Sequence, residues 1–329
     1  MPQQPLQDLF GRRFSYLRLS VTDACNFKCV YCLPNGYKKP DHEQGPLSIP
    51  EIKNLVTTFA EMGTIKIRLT GGEPTLRNDF LDIVSTVAQI PGIQQVAVST
   101  NGFRLKQLAK PFRENGVTAV NVSIDTLDAK KFSEITGANY LPAILEGIEA
   151  ALDAGFPEVK INAVLMNGLN EDSLANFLAW IKDKPVAVRF IELMPTGQNK
   201  EFFANRHVQS KALIDDLVAR GFSVKQRSSV DGPAQEYTHP DYVGRMGIIA
   251  PYAKDFCATC NRLRVTSQGG LRMCLFGEGN HPLRDLLQDP SQKEDLKLRL
   301  ISLLQKKEIS HYLPEGRYGN NNTFSSMGG

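Results

Sequence analysis

The stretch Tyr16-Leu17-Arg18-Leu19-Ser20-Val21-Thr22-Asp23-Ala24-Cys25-Asn26-Phe27-Lys28-Cys29-Val30-Tyr31-Cys32 sets the architecture of this chain. Its opening alternates apolar Leu17 and Leu19 with polar Arg18 and Ser20, the period of a strand with two unlike faces. Three cysteines follow directly, spaced C-x-x-x-C-x-x-C, so three thiolates share one compact loop after a strand. In parallel α/β folds that is where chemistry is placed. Thiolates are soft ligands suited to zinc or to iron–sulfur clusters. Three of them leave one coordination position unclaimed by cysteine.

Outward from this loop, strand and helix signals alternate as far as residue 195. Strand-like runs fall at Tyr16–Ser20, Ile65–Thr70, Val96–Thr100, Ala119–Ser123, Val159–Leu165 and Val186–Met194, with helical patterns at Pro50–Met62, Asp79–Ile90, Leu105–Asn115, Leu141–Ala154 and Glu171–Lys182. Ser48 with Pro50 and Glu51 opens the first helix, and Gly63, Gly116 and Gly155 stand where three helices stop. Such alternation argues for a parallel sheet with right-handed crossovers. The predicted fold class is α/β, an incomplete (β/α)6 barrel of the TIM type. A C-terminal α+β extension would close its mouth, with domains at 1–195 and 196–329. In that extension Ala212–Arg220 reads as helix and Ser223–Arg227, Met246–Ile249, Leu263–Thr266 and Leu271–Leu275 as short strands, before closing helices at Arg284–Gln288 and Glu294–Lys307.

Parity divides the strands into two faces. Leu17, Leu19, Ile65, Ile67, Leu69, Val96, Val98, Val120, Val122, Val159 and Ile161 should lie under the helices. Arg18, Ser20, Lys66, Arg68, Thr70, Ser99, Asn101, Asn121, Ser123, Lys160 and Asn162 face the other way, with a slip of parity expected late in the third strand. A dry interior would not hold so many unpaired charges. This reading expects a wet cavity able to take an anionic ligand; the plainer alternative is rim cations paired with carboxylates.

The second cysteine set, Cys257, Cys260 and Cys274, completes the six cysteines of the chain. It sits in Phe256-Cys257-Ala258-Thr259-Cys260-Asn261-Arg262-Leu263-Arg264 and Leu271-Arg272-Met273-Cys274, with a hairpin turn at Ser267-Gln268-Gly269-Gly270 folding Cys274 back. A zinc knuckle completed by His281 is one reading, and a second cluster with its own open iron is the other. The 329 residues, 42% hydrophobic, supply a core without disulfides, so metal-bound thiolates in a reducing cytoplasm are expected. A net charge of +3 is too weak to argue for nucleic acid. No apolar run approaches the ~18 residues of a membrane span, and the N-terminus lacks a secretory signal.

Cys25, Cys29, Cys32 and Tyr31, followed by Gly71-Gly72-Glu73-Pro74, resemble the radical S-adenosylmethionine superfamily. From about Phe14 to Gly328-Gly329 the chain is similar to the family of GTP 3′,8-cyclases of molybdenum-cofactor biosynthesis, through Leu33-Pro34, Ser123-Ile124-Asp125, Arg189-Phe190-Ile191-Glu192-Leu193-Met194, Ser229-Val230-Asp231-Gly232-Pro233-Ala234 and the terminal diglycine. The resemblance implies two 4Fe–4S clusters, on Cys25, Cys29 and Cys32 and on Cys257, Cys260 and Cys274. It implies S-adenosylmethionine on Tyr31, Gly72, Ser123 and Met194. It puts GTP on Arg18, Arg68, Ser99, Lys160, Arg262, Leu263 and Arg264, with Lys66 and Arg189 as further phosphate partners. Ser99 stands where the family commonly has threonine, which keeps the hydroxyl and loses a methyl. A 5′-deoxyadenosyl radical would abstract the ribose C3′ hydrogen, C3′ would close on C8 of guanine, and the product would be 3′,8-cyclo-7,8-dihydro-GTP. No general acid–base pair is implied. The implied partners are a flavodoxin or ferredoxin as electron donor and a downstream cyclic pyranopterin monophosphate synthase, with the cyclase a monomer or homodimer. A related enzyme with an auxiliary cluster acting on a peptide is the alternative.

Overall fold

The computed structural model describes residues 5–39, 44–227, 231–319 and 323–325. Six strands pair side by side in chain order, all parallel: β1 (Tyr16–Ser20), β2 (Lys66–Thr70), β3 (Gln95–Thr100), β4 (Ala119–Ser123), β5 (Glu158–Leu165) and β6 (Val186–Glu192). Their crossovers carry α1 (Ile49–Glu61), α2 (Phe80–Ala88), α3 (Leu105–Glu114), α4 (Ala129–Thr136), α5 (Leu141–Asp153) and α6 (Leu174–Ile181). In α1, Ser48 Oγ accepts from Glu51 N–H while Glu51 Oε2 accepts from Ser48 N–H at 2.8 Å, the reciprocal cap expected from the sequence. The eight-residue α4 has no counterpart in the sequence reading. Asp128 caps it, accepting from the N–H groups of Lys130 and Lys131, and only Phe132, Ile135 and Thr136 are buried. The run from residue 171 to 182 is likewise broken, a 3₁₀ turn at Glu171–Ser173 preceding α6.

The C-terminal part holds α7 (Lys200–Arg206), α8 (Lys211–Ala219) and α9 (Lys293–Leu304), with β7 (Ser223–Val224), β8 (Gln235–Thr238), β9 (Arg245–Ile249), β10 (Arg262–Val265), β11 (Gly270–Arg272) and β12 (His281–Pro282). These strands continue the same sheet. Its order is β12-β11-β10-β1-β2-β3-β4-β5-β6-β9-β8-β7, with β10 parallel to β1 and β9 parallel to β6. Residues after 195 therefore flank both edges of the six-strand unit. Expected strands at Ser223–Arg227 and Leu271–Leu275 are shorter than read, and Arg284–Gln288 is a 3₁₀ turn over Arg284–Leu286.

Most of the predicted apolar face is buried in one continuous core: Leu17, Leu19, Ile67, Leu69, Val96, Val98, Val120, Val122, Val159 and Ile161 all belong to it, whereas Ile65 falls just before β2 and is half-buried. Each such side chain contributes ~1.5–3 kcal/mol relative to exposure. Parity on β3 does not slip. Ala97 pairs with Arg68 across the sheet and Ser99 with Asn121, so Ser99 stays on the polar face. No helix among the described residues is long and apolar enough to cross a membrane.

Candidate active site

The first cysteine loop is locked to the turn after β2. Gly72 N–H donates to Thr22 O at 2.9 Å and Glu73 N–H to Ala24 O at 2.7 Å. A Cβ on Gly71 would lie 2.2 Å from Thr22 O, and one on Gly72 2.2 Å from Ala24 O. The two glycines are thus required by the backbone of the cysteine loop itself. Glu73 anchors the turn from below with no exposed surface: its carboxylate accepts from Thr75 N–H and Oγ1, from Thr100 Oγ1 at 2.8 Å and from Asn101 N–H at 2.6 Å.

Cys25, Cys29 and Cys32 line one cavity of about 190 Å³ together with Tyr31, Gly72, Ser123 and Met194, the four residues expected to hold the cofactor. Burial raises the pKa of all three thiols, Cys32 to about 12. Backbone N–H groups of Phe324 and Ser325 favour the Cys32 thiolate, as Phe27 N–H, 3.5 Å from Cys25 Sγ, favours that of Cys25. Two residues outside the predicted set organise this cavity. Asp125 accepts from Tyr31 Oη at 3.1 Å and Val164 N–H at 2.8 Å, and burial pushes its pKa up to about 6. Asn199 Nδ2 donates to Tyr31 O at 3.1 Å and Met194 O at 3.2 Å, tying the cysteine loop to the end of β6. Asp125 stood in the quoted Ser123-Ile124-Asp125 segment; Asn199, in a polar loop, carried no sequence signal.

Cys257, Cys260 and Cys274 line a second cavity, about 100 Å³, with Arg18, Arg262, Arg264 and His311. His281 does not share it; it meets Cys274 only at a separate outer cavity. Arg12, not singled out in the sequence, braces the loop: it donates to Cys257 O at 3.2 Å, Ile309 O at 2.7 Å and Glu308 O at 2.6 Å, with Asp8 holding its Nε at 2.6 Å. Burial opposes the Cys260 thiolate, but Arg262 and Lys307 outweigh it and lower that thiol's pKa. All six cysteines are unpaired with one another. Among the described residues no three His, Cys, Asp or Glu side chains are drawn together closely enough to hold a metal ion. Each set supplies three soft thiol donors, the ligand type that suits an iron–sulfur cluster.

Between the two cavities lies the polar face of the sheet. Register places Arg264, Arg18 and Arg68 directly opposite one another on β10, β1 and β2, and below them Arg262, Tyr16 and Lys66. Burial lowers the pKa of Arg18 well below its ordinary value and also lowers Arg68, Arg264 and Lys66, and the neighbouring cations add to it. Farther round, carboxylates do pair: Arg189 Nη2 donates to Glu236 Oε1 at 2.7 Å, Arg245 Nε to Glu236 Oε2 at 2.6 Å, and Lys160 contacts Glu158. Burial resists the Glu236 charge, but Arg189 and Arg245 pull its pKa to about 2. Among the described residues Arg68, Arg262 and Arg264 have no salt bridge to a carboxylate. Leu263 has its side chain in the core on the opposite face, so only its backbone is available to a ligand.

Comparison with known proteins follows this geometry. The family model described as Radical SAM superfamily matches residues 19–181, and that described as Molybdenum Cofactor Synthesis C matches 186–313. A GTP 3′,8-cyclase of Vibrio atlanticus is 50% identical over 99% of this chain and 98% of its own. One of Psychromonas ingrahamii is 51% identical over 99% of this chain and 96% of its own. The chain belongs to the GTP 3′,8-cyclase family. Among solved structures, this cyclase shares its fold with Streptococcus suis SuiB bound to S-adenosylmethionine (TM-score 0.58, 12% identity, 90% of this chain and 68% of that one). It also shares it with anSMEcpe bound to AdoMet and a peptide (TM-score 0.57, 16% identity, 88% and 83%). Those likenesses extend to the fold alone; the full-length relatives favour a nucleotide substrate over a peptide.

Proposed function

We propose that the cyclase binds GTP on the polar face of its sheet, between two cluster sites. Cys25, Cys29 and Cys32 would hold the 4Fe–4S cluster that takes S-adenosylmethionine; Cys257, Cys260 and Cys274 would hold a second 4Fe–4S cluster toward guanine. The observation that carries this reading is Arg18, which lines both cysteine cavities and stands in the middle of the Arg264–Arg18–Arg68 row. When bound, the first cluster and the cofactor supply a 5′-deoxyadenosyl radical able to take the C3′ hydrogen of the ribose.

The chain's own residues position and shield. Tyr31, Gly72, Ser123 and Met194 wall the cofactor cavity, Asp125 fixes the Tyr31 phenol, and Asn199 fixes the backbone around it. Arg262 and Arg264 reach toward the second centre, while Arg18, Lys66, Arg68, Lys160 and Arg189 offer charge to phosphates; guanidinium forks suit phosphate oxygens. Ser99 Oγ is buried without a hydrogen-bond partner in the first cavity, as a hydroxyl awaiting a ligand would be. Apolar Leu33, Ile191, Leu193 and Phe324 around that cavity keep water from it. We read the sheet as an incomplete (β/α)6 barrel over residues 1–195, its mouth closed by 196–329. The Gly328-Gly329 tail, which the resemblance sends into the site, lies outside the described residues, as do Ser229 and Val230. The setting we infer is cytoplasmic, with a flavodoxin or ferredoxin as reductant and a cyclic pyranopterin monophosphate synthase taking the product.

The test is Arg262→Ala and Arg264→Ala in anaerobically reconstituted protein. Each charged hydrogen bond lost costs about 1.5–3 kcal/mol, so GTP conversion falls tenfold or more. Iron stays near about eight per chain, and S-adenosylmethionine is still cleaved. Iron lost in proportion to activity would make these arginines structural and remove the proposed site.

A further inference from the structure

The parity that defines the polar face also places Tyr16 on it, among cations that every other reading treats as the whole of the phosphate site. Tyr16 opens β1 and is 2% exposed. Arg262 and Lys66 are its lateral neighbours in register, and Arg18 and Arg68 lie one step up the same face. Lys66 Nζ stands 5.2 Å and Arg68 Cζ 5.5 Å from its ring centroid, so one aromatic ring carries two cations. The Arg68 side chain lies close enough to the Tyr16 hydroxyl to interact with it, yet neither Tyr16 Oη nor Arg68 Nε makes a hydrogen bond of ordinary geometry. A buried hydroxyl in that state is costly and needs an explanation. Glu236 is engaged by Arg189 and Arg245, and Glu158 by Lys160 and Arg245, so neither carboxylate turns to this hydroxyl. Burial opposes ionisation of the phenol, but Arg68, Arg18, Lys66 and Arg262 outweigh it and lower its pKa.

We propose that Tyr16 is a positioning residue for the polyphosphate end of the nucleotide: its ring sets the spacing of Lys66 and Arg68, and its hydroxyl donates to a phosphate oxygen that both cations reach. This rests on the nucleotide site proposed above. The hydroxyl is a neutral, directional donor in a set otherwise made of point charges and forks. It favours a ligand whose oxygens fall at one place, a triphosphate over a monophosphate.

The experiment is Tyr16→Phe in the reconstituted full-length enzyme. Equilibrium dialysis gives the dissociation constants of GTP and of guanosine monophosphate, and assays give KM and kcat. Iron content and S-adenosylmethionine binding are measured alongside. The expected result is GTP bound about tenfold more weakly, KM raised in step, kcat nearly unchanged, and monophosphate binding, iron and cofactor binding as in the wild type. Two outcomes overturn the proposal: GTP affinity equal to wild type, or equal losses for both nucleotides together with lost iron, which would make Tyr16 a packing residue. If wild-type protein itself failed to bind GTP, the nucleotide site would fall, whatever the variant did.

Discussion

At the scale of single residues, the site is held by buried acids. Glu73 gathers four donors from two strand ends, and burial raises its pKa against them. Glu73→Ala leaves those donors unmet in a dry place; the expected loss is about 1–3 kcal/mol for a donor left unpaired, seen as a lower thermal midpoint and as iron lost from the first centre. An unchanged midpoint would mean water replaces the carboxylate. Asp125 behaves differently with pH. Its folded pKa of about 6 lies above the ordinary 3.8, so the folded state keeps a proton that the unfolded chain has released between those values. Its contribution to stability therefore falls as pH rises through that window and is flat above it. Asp125→Asn should flatten that part of a stability-against-pH profile measured by denaturant titration; an unchanged slope would show that another group causes it. Arg12, which donates to three backbone carbonyls, is expected to hold the second centre: Arg12→Ala should lower iron from about eight toward about four per chain, with the first centre's electron paramagnetic resonance signal retained.

At the scale of elements, the C-terminal part is fastened to α1 through two carboxylates: Glu61, which Lys293 and Lys297 of α9 contact, and the more buried Glu51. Glu51 caps α1 and accepts from Arg284 Nε at 2.7 Å and Gln288 Nε2 at 2.9 Å. Burial opposes its charge, but Arg284, Ser48 and Gln288 outweigh this and hold the pKa at about 2. Stability from Glu51 is thus complete above the ordinary value of 4.5 and is lost as pH falls through about 2. Glu51→Gln should lower the thermal midpoint at neutral pH by an amount matching about 1–3 kcal/mol, with a smaller difference from wild type in acid; a constant difference would assign the effect to packing. The sequence made the six parallel strands readable because each alternates cleanly, Arg18 and Ser20 against Leu17 and Leu19. It concealed β8, whose Gln235 and Glu236 sit near the sheet edge with polar side chains. It also concealed the parallel pairing of β10 with β1, a contact between residues 246 apart that no local pattern encodes. Leu263 shows parity at work inside a motif: its side chain lies in the core while Arg262 and Arg264 lie on the other face, which leaves its backbone for a ligand.

For the whole molecule, the cationic interior is a liability that a polyanion would relieve. Burial brings Lys160 down to about 6, and Arg189, Lys66 and Arg68 reinforce it while Glu236 opposes. Between about 6 and the ordinary 10.5 the unfolded chain holds a proton that the folded chain has lost, so this group makes ligand-free stability rise with pH across that window. A triphosphate beside Lys160 returns the proton. GTP binding near pH ~8 should therefore take up protons and weaken as pH rises, with a binding enthalpy that changes with the buffer's own heat of ionisation; a buffer-independent enthalpy would place the phosphates elsewhere. That two cysteine centres face one polar interior was legible from spacing and parity. How they are braced, by Arg12, Asp125 and Asn199, was not, because each brace joins segments distant in the chain. The reaction itself offers the most direct test. GTP carrying deuterium only at C3′ is turned over anaerobically, and the 5′-deoxyadenosine is examined by mass spectrometry: this account predicts that the deuterium appears there, whereas unlabelled 5′-deoxyadenosine from C3′-labelled GTP, with label transferred instead from GTP deuterated at another carbon, would contradict it.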